Sequence, residues 1–177
     1  MKRTKMIFVM LFMIISGLMV GCGPINDIIE DLENSSSATG GKMGLEIIRC
    51  INEKDSEGLK DMFCGRIKNF SNINIDAEIE NLFDVIDKPI ISHDPILVGG
   101  EKITHDGKIE KDFIAAGMRN VRLDGDDGVY YISFNALRVA ESEDRVGISY
   151  IGVYDSEVVE KKGGYKLICS VGDCIRG

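Results

Sequence analysis

The spacing of hydrophobic positions changes three times along the chain. Met6 to Ile15 is an unbroken apolar run, extended by Leu18, Met19 and Val20. From residue 43 to residue 86 the apolar positions instead recur at helical spacing. Met43, Ile47, Cys50 and Ile51 share one face of a helix over 42–53. In "DSEGLKDMFC", Asp55 or Ser56 supplies an N-cap, and Leu59, Met62 and Phe63 face inward. In "NIDAEIENLFDVID", Asp76 serves as a cap and Ile79, Leu82, Phe83 and Ile86 follow the i, i+3, i+4, i+7 rule. Lys88-Pro89 ends that helix, because the residue before a proline is pushed out of the helical region.

Beyond Pro89 the pattern becomes extended. Asp106-Gly107, Asp127-Gly128 and Gly163-Gly164 are turn signals. They separate β-rich runs over 108–123, 129–140, 146–159 and 165–171. Successive antiparallel strands make a meander, and helices followed by strands make an α+β fold. Strands this long bend, and Gly117, Gly147 and Gly152 mark expected bulges or close packing. The fold class expected is α+β, three helices packed on a strongly curved antiparallel sheet spanning 42–177.

The N-terminal run has a second meaning. Lys2, Arg3 and Lys5 precede it, and Ser16, Gly17 and Gly21 follow it, which is secretory signal anatomy. It is short for a spanning helix, which needs about 20 residues. Leu18-Met19-Val20-Gly21-Cys22 resembles the lipobox of bacterial lipoproteins, with Met19 in place of the usual leucine. That resemblance implies cleavage after residue 21 and a lipidated Cys22. Two acyl chains on one residue hold a protein stably on a membrane. Residues 22–41, with "NSSSATGG", then read as a flexible tether spanning roughly 25 Å as a coil. Ile25, Ile28, Ile29 and Leu32 add a short amphipathic pattern within it.

Charge narrows the partners. Removing residues 1–21 takes away three basic residues and no acidic one, which leaves 18 basic against 29 acidic residues and a formal charge of −11. Phosphate repulsion argues against nucleic acid. Four cysteines remain besides Cys22, namely Cys50, Cys64, Cys169 and Cys174. In an exported protein an even set suggests disulfides, with three pairings open and Cys169 with Cys174 among them. Cys50, on an apolar helix face, equally suits a free buried thiol. With no C-x-x-C, a zinc site has no support.

Candidate chemistry is sparse. His93 and His105 each precede an aspartate, but in strand or turn context rather than on ligand-bearing helices. "LDGDDG" fails as a calcium loop, since position 5 counted from Asp124 is Gly128. No nucleophile elbow, phosphate loop or dinucleotide fingerprint occurs, so neither a cofactor nor a metal is expected. The pocket candidates are Tyr131, Asn135 and Tyr150. Alternation puts Tyr131, Ser133 and Asn135 on one strand face, opposite Tyr130, Ile132 and Phe134, and Tyr150 and Tyr154 share a face.

"GLEIIRCINEKDSEGLKDMFC", "IENLFDVIDKPIISHD" and "VGISYIGVYD" together resemble nuclear-transport-factor-2-like domains, within that fold a group of Firmicute lipoproteins of unknown function. The resemblance covers roughly 43–171 and implies a cone with a mouth between helices and sheet, but no catalytic residue. The expected function is an extracytoplasmic, membrane-anchored module that binds a small molecule or an envelope protein without catalysis. Two alternatives stand beside it: an isomerase or hydrolase using a pocket carboxylate and a tyrosine, and an assembly role as a homodimer.

Overall fold

The structure, a computed structural model, describes residues 35–70, 72–159 and 164–172. The signal segment, Cys22, the tether up to residue 34 and Cys174 lie outside the described residues. No described helix is long and apolar enough to cross a membrane.

Helix α1, Ser36–Glu53, begins six residues earlier than the hydrophobic pattern indicates. Ser35 caps it, its Oγ accepting the Ala38 N–H at 3.1 Å. The small residues that read as linker are a docking stripe. Gly40 and Gly44 are buried. A Cβ on Gly40 would lie 2.6 Å from Val98 Cγ1, and one on Gly44 would lie 2.7 Å from Ile96 Cδ1. The helix ends at Lys54, a non-glycine residue at φ 54°. Its ammonium donates to the carbonyl oxygens of Phe83, at 2.7 Å, and Ile86.

Helix α2, Ser56–Met62, is capped by Asp55 through the Gly58 N–H at 2.9 Å. A four-residue turn, α3 (Gly65–Lys68), was too short to carry a period. Helix α4, Ile75–Val85, is capped by Asn74 and not by Asp76, which pairs instead with Lys60 at 2.6 Å. Of the expected inward positions, Ile47, Cys50, Ile51, Leu59, Phe63, Ile79, Leu82 and Ile86 are buried, and Met43, Met62 and Phe83 are partly buried against the same core.

Six strands follow: β1 Ile90–Ser92, β2 Leu97–His105, β3 Lys108–Leu123, β4 Tyr130–Val139, β5 Gly147–Val159 and β6 Tyr165–Gly172. They form one open, curved antiparallel sheet in the order β1-β3-β4-β5-β6, with β2 also on β3. Strand β3 is its spine. Residues 108–117 pair with β2, and Arg122 and Leu123 pair with β1. The edge can change strands because β3 bulges: its register with β4 breaks between Met118 and Val121, and Asn120 sits at φ 52°. Asparagine tolerates that left-handed conformation better than most residues. Asp94 fastens the bend, taking the Asn120 side-chain N–H at 2.7 Å and donating its own N–H to Arg119 O at 2.8 Å.

The β2–β3 hairpin turns at Asp106-Gly107, both at positive φ. The next turn falls at Asp124-Gly125 rather than at Asp127-Gly128. Asp126 then closes the loop, accepting the Gly128 N–H at 2.9 Å and the Tyr130 hydroxyl at 2.8 Å. Of the Gly163-Gly164 signal, only Gly164 is described, as a bend leading into β6.

One sheet face carries the core. Ile114, Met118, Ile132, Phe134, Ile151, Val153 and Val171 are fully buried with the inward residues of the helices. Asp112, 1 % exposed, is the buried charged residue among those described. Arg138 donates to its Oδ2 through Nε at 2.8 Å and Nη2 at 2.6 Å. The Ser36 hydroxyl donates to Oδ1 at 2.8 Å. The first turn of α1 is thereby tied to the sheet.

Candidate functional site

The other sheet face points away from α1. Alternation along β3 and β4 puts Ala115, Gly117, Tyr131, Ser133 and Asn135 on it, while their neighbours enter the core. On β5 the register break between Asn135 and Ala136 makes Ser149 an extra residue. Tyr150, Gly152 and Tyr154 thus return to the helix-free face.

The pairings build a valley of small residues. Leu97 pairs with Gly117, Gly117 with Ser133, Ser133 with Gly152 and Gly152 with Ser170, in one row across five strands. Tyrosines lie over the two glycines. A Cβ on Gly117 would lie 2.4 Å from the Tyr131 hydroxyl oxygen, and one on Gly152 would lie 2.4 Å from that of Tyr150. Gly117 and Gly152 therefore serve close packing rather than bulges. The Tyr150 and Tyr154 hydroxyls are hydrogen-bonded at 2.8 Å. Tyr131 stands 5.6 Å, centroid to centroid, from Tyr154 and 5.6 Å from Tyr165, with the rings tilted in both pairs.

These side chains line a groove of about 550 Å³. Arg119, on the β3 bulge, contributes its charge, and Ser133 and Asn135 contribute polar side chains. Leu97, Tyr165 and Leu167 are exposed apolar side chains along the same face. Burial raises the Tyr131 hydroxyl above its ordinary pKa, and Arg119 offsets part of that rise. Tyr131 therefore stays protonated at neutral pH, a donor and acceptor of hydrogen bonds and not a base.

All three pocket candidates, Tyr131, Asn135 and Tyr150, line this one groove. Its position corrects the expected mouth between helices and sheet: that side is occupied by the packed core. Tyr154, Tyr165, Ser133 and Arg119 complete the groove. Alternation pointed to Ser133 and Tyr154. Arg119 was not expected there, although it follows Ala115 and Gly117 by the same alternation along β3. No carboxylate lines the groove among the described residues, and the buried Asp112 belongs to the core-facing side, tied up by Arg138 and Ser36.

The remaining chemical candidates are dispersed. His93 Nδ1 contacts Asp94 O at 2.6 Å, beside the β3 bulge. His105 is exposed at the opposite end of β3, paired with Lys108. Among the described residues no three His, Cys, Asp or Glu side chains are grouped to hold a metal ion. Cys50, Cys64 and Cys169 are buried and unbonded to one another. Burial pushes the Cys169 thiol up to about 11. The pairing of Cys169 with Cys174 lies outside the described residues.

Helices laid on one face of an open sheet, with an aromatic groove on the other, define an α+β domain with an exposed groove that no carboxylate lines among the described residues. The chain belongs to the family described as a domain of unknown function, DUF5104, which matches residues 46–158. The match takes in Tyr131, Asn135, Tyr150 and Tyr154 and ends before Tyr165. No curated protein matches the chain.

Proposed function

We propose that the protein is a lipid-anchored, extracytoplasmic binding module that uses the helix-free face of its sheet to hold a small molecule or a segment of an envelope protein. The observation that carries this reading is the tyrosine groove. Tyr131, Tyr154 and Tyr165 cluster there beside exposed Leu97 and Leu167, and Ser133, Asn135 and Arg119 supply polar contacts. Tyrosine offers a large amphipathic surface at small entropic cost, and contiguous exposed apolar side chains mark recognition surfaces. The likeness to the nuclear-transport-factor-2-like cone rests on the order of helices and bent strands. Fold analogy assigns no reaction. The anchor rests on the lipobox-like stretch ending at Cys22.

The exposed apolar residues favour one second reading, a homodimer through the same face. Native mass spectrometry of the full chain, extracted gently from its host, separates the two. Added mass that departs on denaturation, and is lost in Tyr131→Ala, supports the ligand reading. A doubled mass abolished by Tyr131→Ala supports the dimer. A wild-type chain carrying no added mass and no second copy counts against both.

A further inference from the structure

A second hollow lies two residues along the β3–β4 ladder from the tyrosine groove, where α3 closes over that end of the sheet. Ala115 pairs with Asn135 in the groove, and Phe113 pairs with Leu137 in the hollow. Ile67, Phe113 and Leu137 give it apolar walls. Arg66 from α3, Lys111 from β3 and Arg145 from the short 3-10 turn Glu143–Arg145 bring three cations to its rim. We propose that this hollow binds a small amphiphilic anion, a carboxylate or phosphate monoester carrying a short apolar chain.

The charge distribution is the first argument. The chain has a formal charge of −8, yet three basic side chains and no acidic one line this hollow. Arg49 is neutralised by three carboxylates, Lys60 by Asp76 and Arg138 by Asp112. Among the described residues none of Arg66, Lys111 and Arg145 makes an ion pair. Guanidinium groups match the oxygens of carboxylates and phosphates in a bidentate fork.

Shape and rigidity are the second argument. The hollow measures about 90 Å³. One water needs only about 10–15 Å³ of such space, so several heavy atoms fit and a large ring system does not. Its walls are held firmly. The Cys64 N–H donates to Ile148 O at 2.8 Å, and a Cβ on Gly147 would lie 2.9 Å from Cys64 N. The Ser149 hydroxyl, 3.4 Å from Asn135 O, adds a polar group on the groove side. Lys111 and Arg145 also face a neighbouring hollow that contains Glu110 and Glu141. Repulsion from those carboxylates directs the anionic head toward Arg66 and the chain toward Phe113 and Leu137.

The test is a titration of the ¹⁵N-labelled full chain, in a neutral detergent, with butyrate and with butyl phosphate, followed by amide shifts. 1-Butanol and butylamine are the controls. The expected result is saturation in the low millimolar range by at least one anion, with shifts centred on Phe113, Leu137 and Ser149. The ratio of the two anions identifies the head group. The alcohol and the amine should bind about tenfold more weakly or worse, and Arg66→Gln/Arg145→Gln should weaken the anion about tenfold with an unchanged melting temperature. Equal binding of the alcohol, shifts confined to Tyr131 and Tyr154, no saturation, or no effect of the double substitution would overturn the proposal. The groove reading stands or falls separately.

Discussion

Two adjacent glycines in α1 should respond to the same substitution with opposite signs. Alanine in a helix interior is favoured over glycine by roughly 0.5–1 kcal/mol. A Cβ on Gly41 meets nothing within 4 Å, so Gly41→Ala should keep that gain in full. On Gly40 the new methyl would lie 2.6 Å from Val98 Cγ1, 3.1 Å from Val98 Cγ2 and 3.1 Å from Ile114 Cγ2. Val98 is β-branched and stiff, and Ile114 is fully buried, so neither yields easily. Overpacking of this kind costs about 1–3 kcal/mol. Set against the propensity gain, Gly40→Ala should lose up to about 2.5 kcal/mol, and because the gain is common to both, the two variants should lie roughly 1–3 kcal/mol apart. For a domain of this size that is about 3–15 °C in melting temperature. Urea and thermal unfolding followed by far-ultraviolet circular dichroism measure it directly. Coincident transitions for the two variants would refute the docking of this segment, because in a free tether both substitutions are neutral. Gly44→Ala should fall between them, since the nearest atom, Ile96 Cδ1 at 2.7 Å, is the tip of a movable side chain.

Asp112→Ala should cost about 3 kcal/mol by removing the buried acceptor that Arg138 and Ser36 share, and Asp112→Ala/Arg138→Met should recover part of that. Hydrogen exchange should quicken in the first turn of α1, where Ser36 loses its acceptor; a loss under about 1 kcal/mol with unchanged exchange would contradict the network. Cys50, Cys64 and Cys169 should resist iodoacetamide at pH 8 in the folded protein and react in urea, because the thiolate is the reactive form and burial raises the Cys50 and Cys169 thiols. Peptide mass spectrometry reads this, and labelling of folded Cys169 at the rate of a free thiol would be the contrary result. Asp55 is held below the usual carboxylate range by Arg49 and then by the Gly58 N–H, and Asp126 by the Gly128 N–H and then the Tyr130 hydroxyl. A lowered folded-state pKa gives stability that is present above the unfolded value, about 3.9, and lost as pH falls through the folded one. The acid limb of the stability curve should therefore be shallower in Asp55→Asn/Asp126→Asn, and an unchanged limb would exclude these two groups as its source.

The sheet was legible from residue spacing because its signals are local. The Asp106-Gly107 turn and the β-rich run over 108–123 mark β3, and alternation along β4 separates Tyr131, Ser133 and Asn135 from Ile132 and Phe134. Two features were not legible. The start of α1 has linker composition, and its helix depends on Val98, Ile96 and Ile114, far away in sequence, accepting glycine at close range. The bend of β3 depends on Asn120 in a left-handed conformation and on Asp94 more than twenty residues earlier, so no local pattern carries it. The same separation explains the site. The spacing named Tyr131, Asn135 and Tyr150 but not their side of the sheet, which follows from where the helices settle. Arg66, Lys111 and Arg145 are scattered singly along the chain, and only the fold gathers them.

The groove is the central claim, and photo-crosslinking in the living host tests it most directly. A photoreactive phenylalanine derivative replaces Tyr131 or Tyr165 in the groove, or Leu45, exposed on α1. The account predicts one discrete adduct, the same from 131 and 165 and absent from 45. Adducts from 45 equal to those from the groove, or none from either groove position, would contradict it.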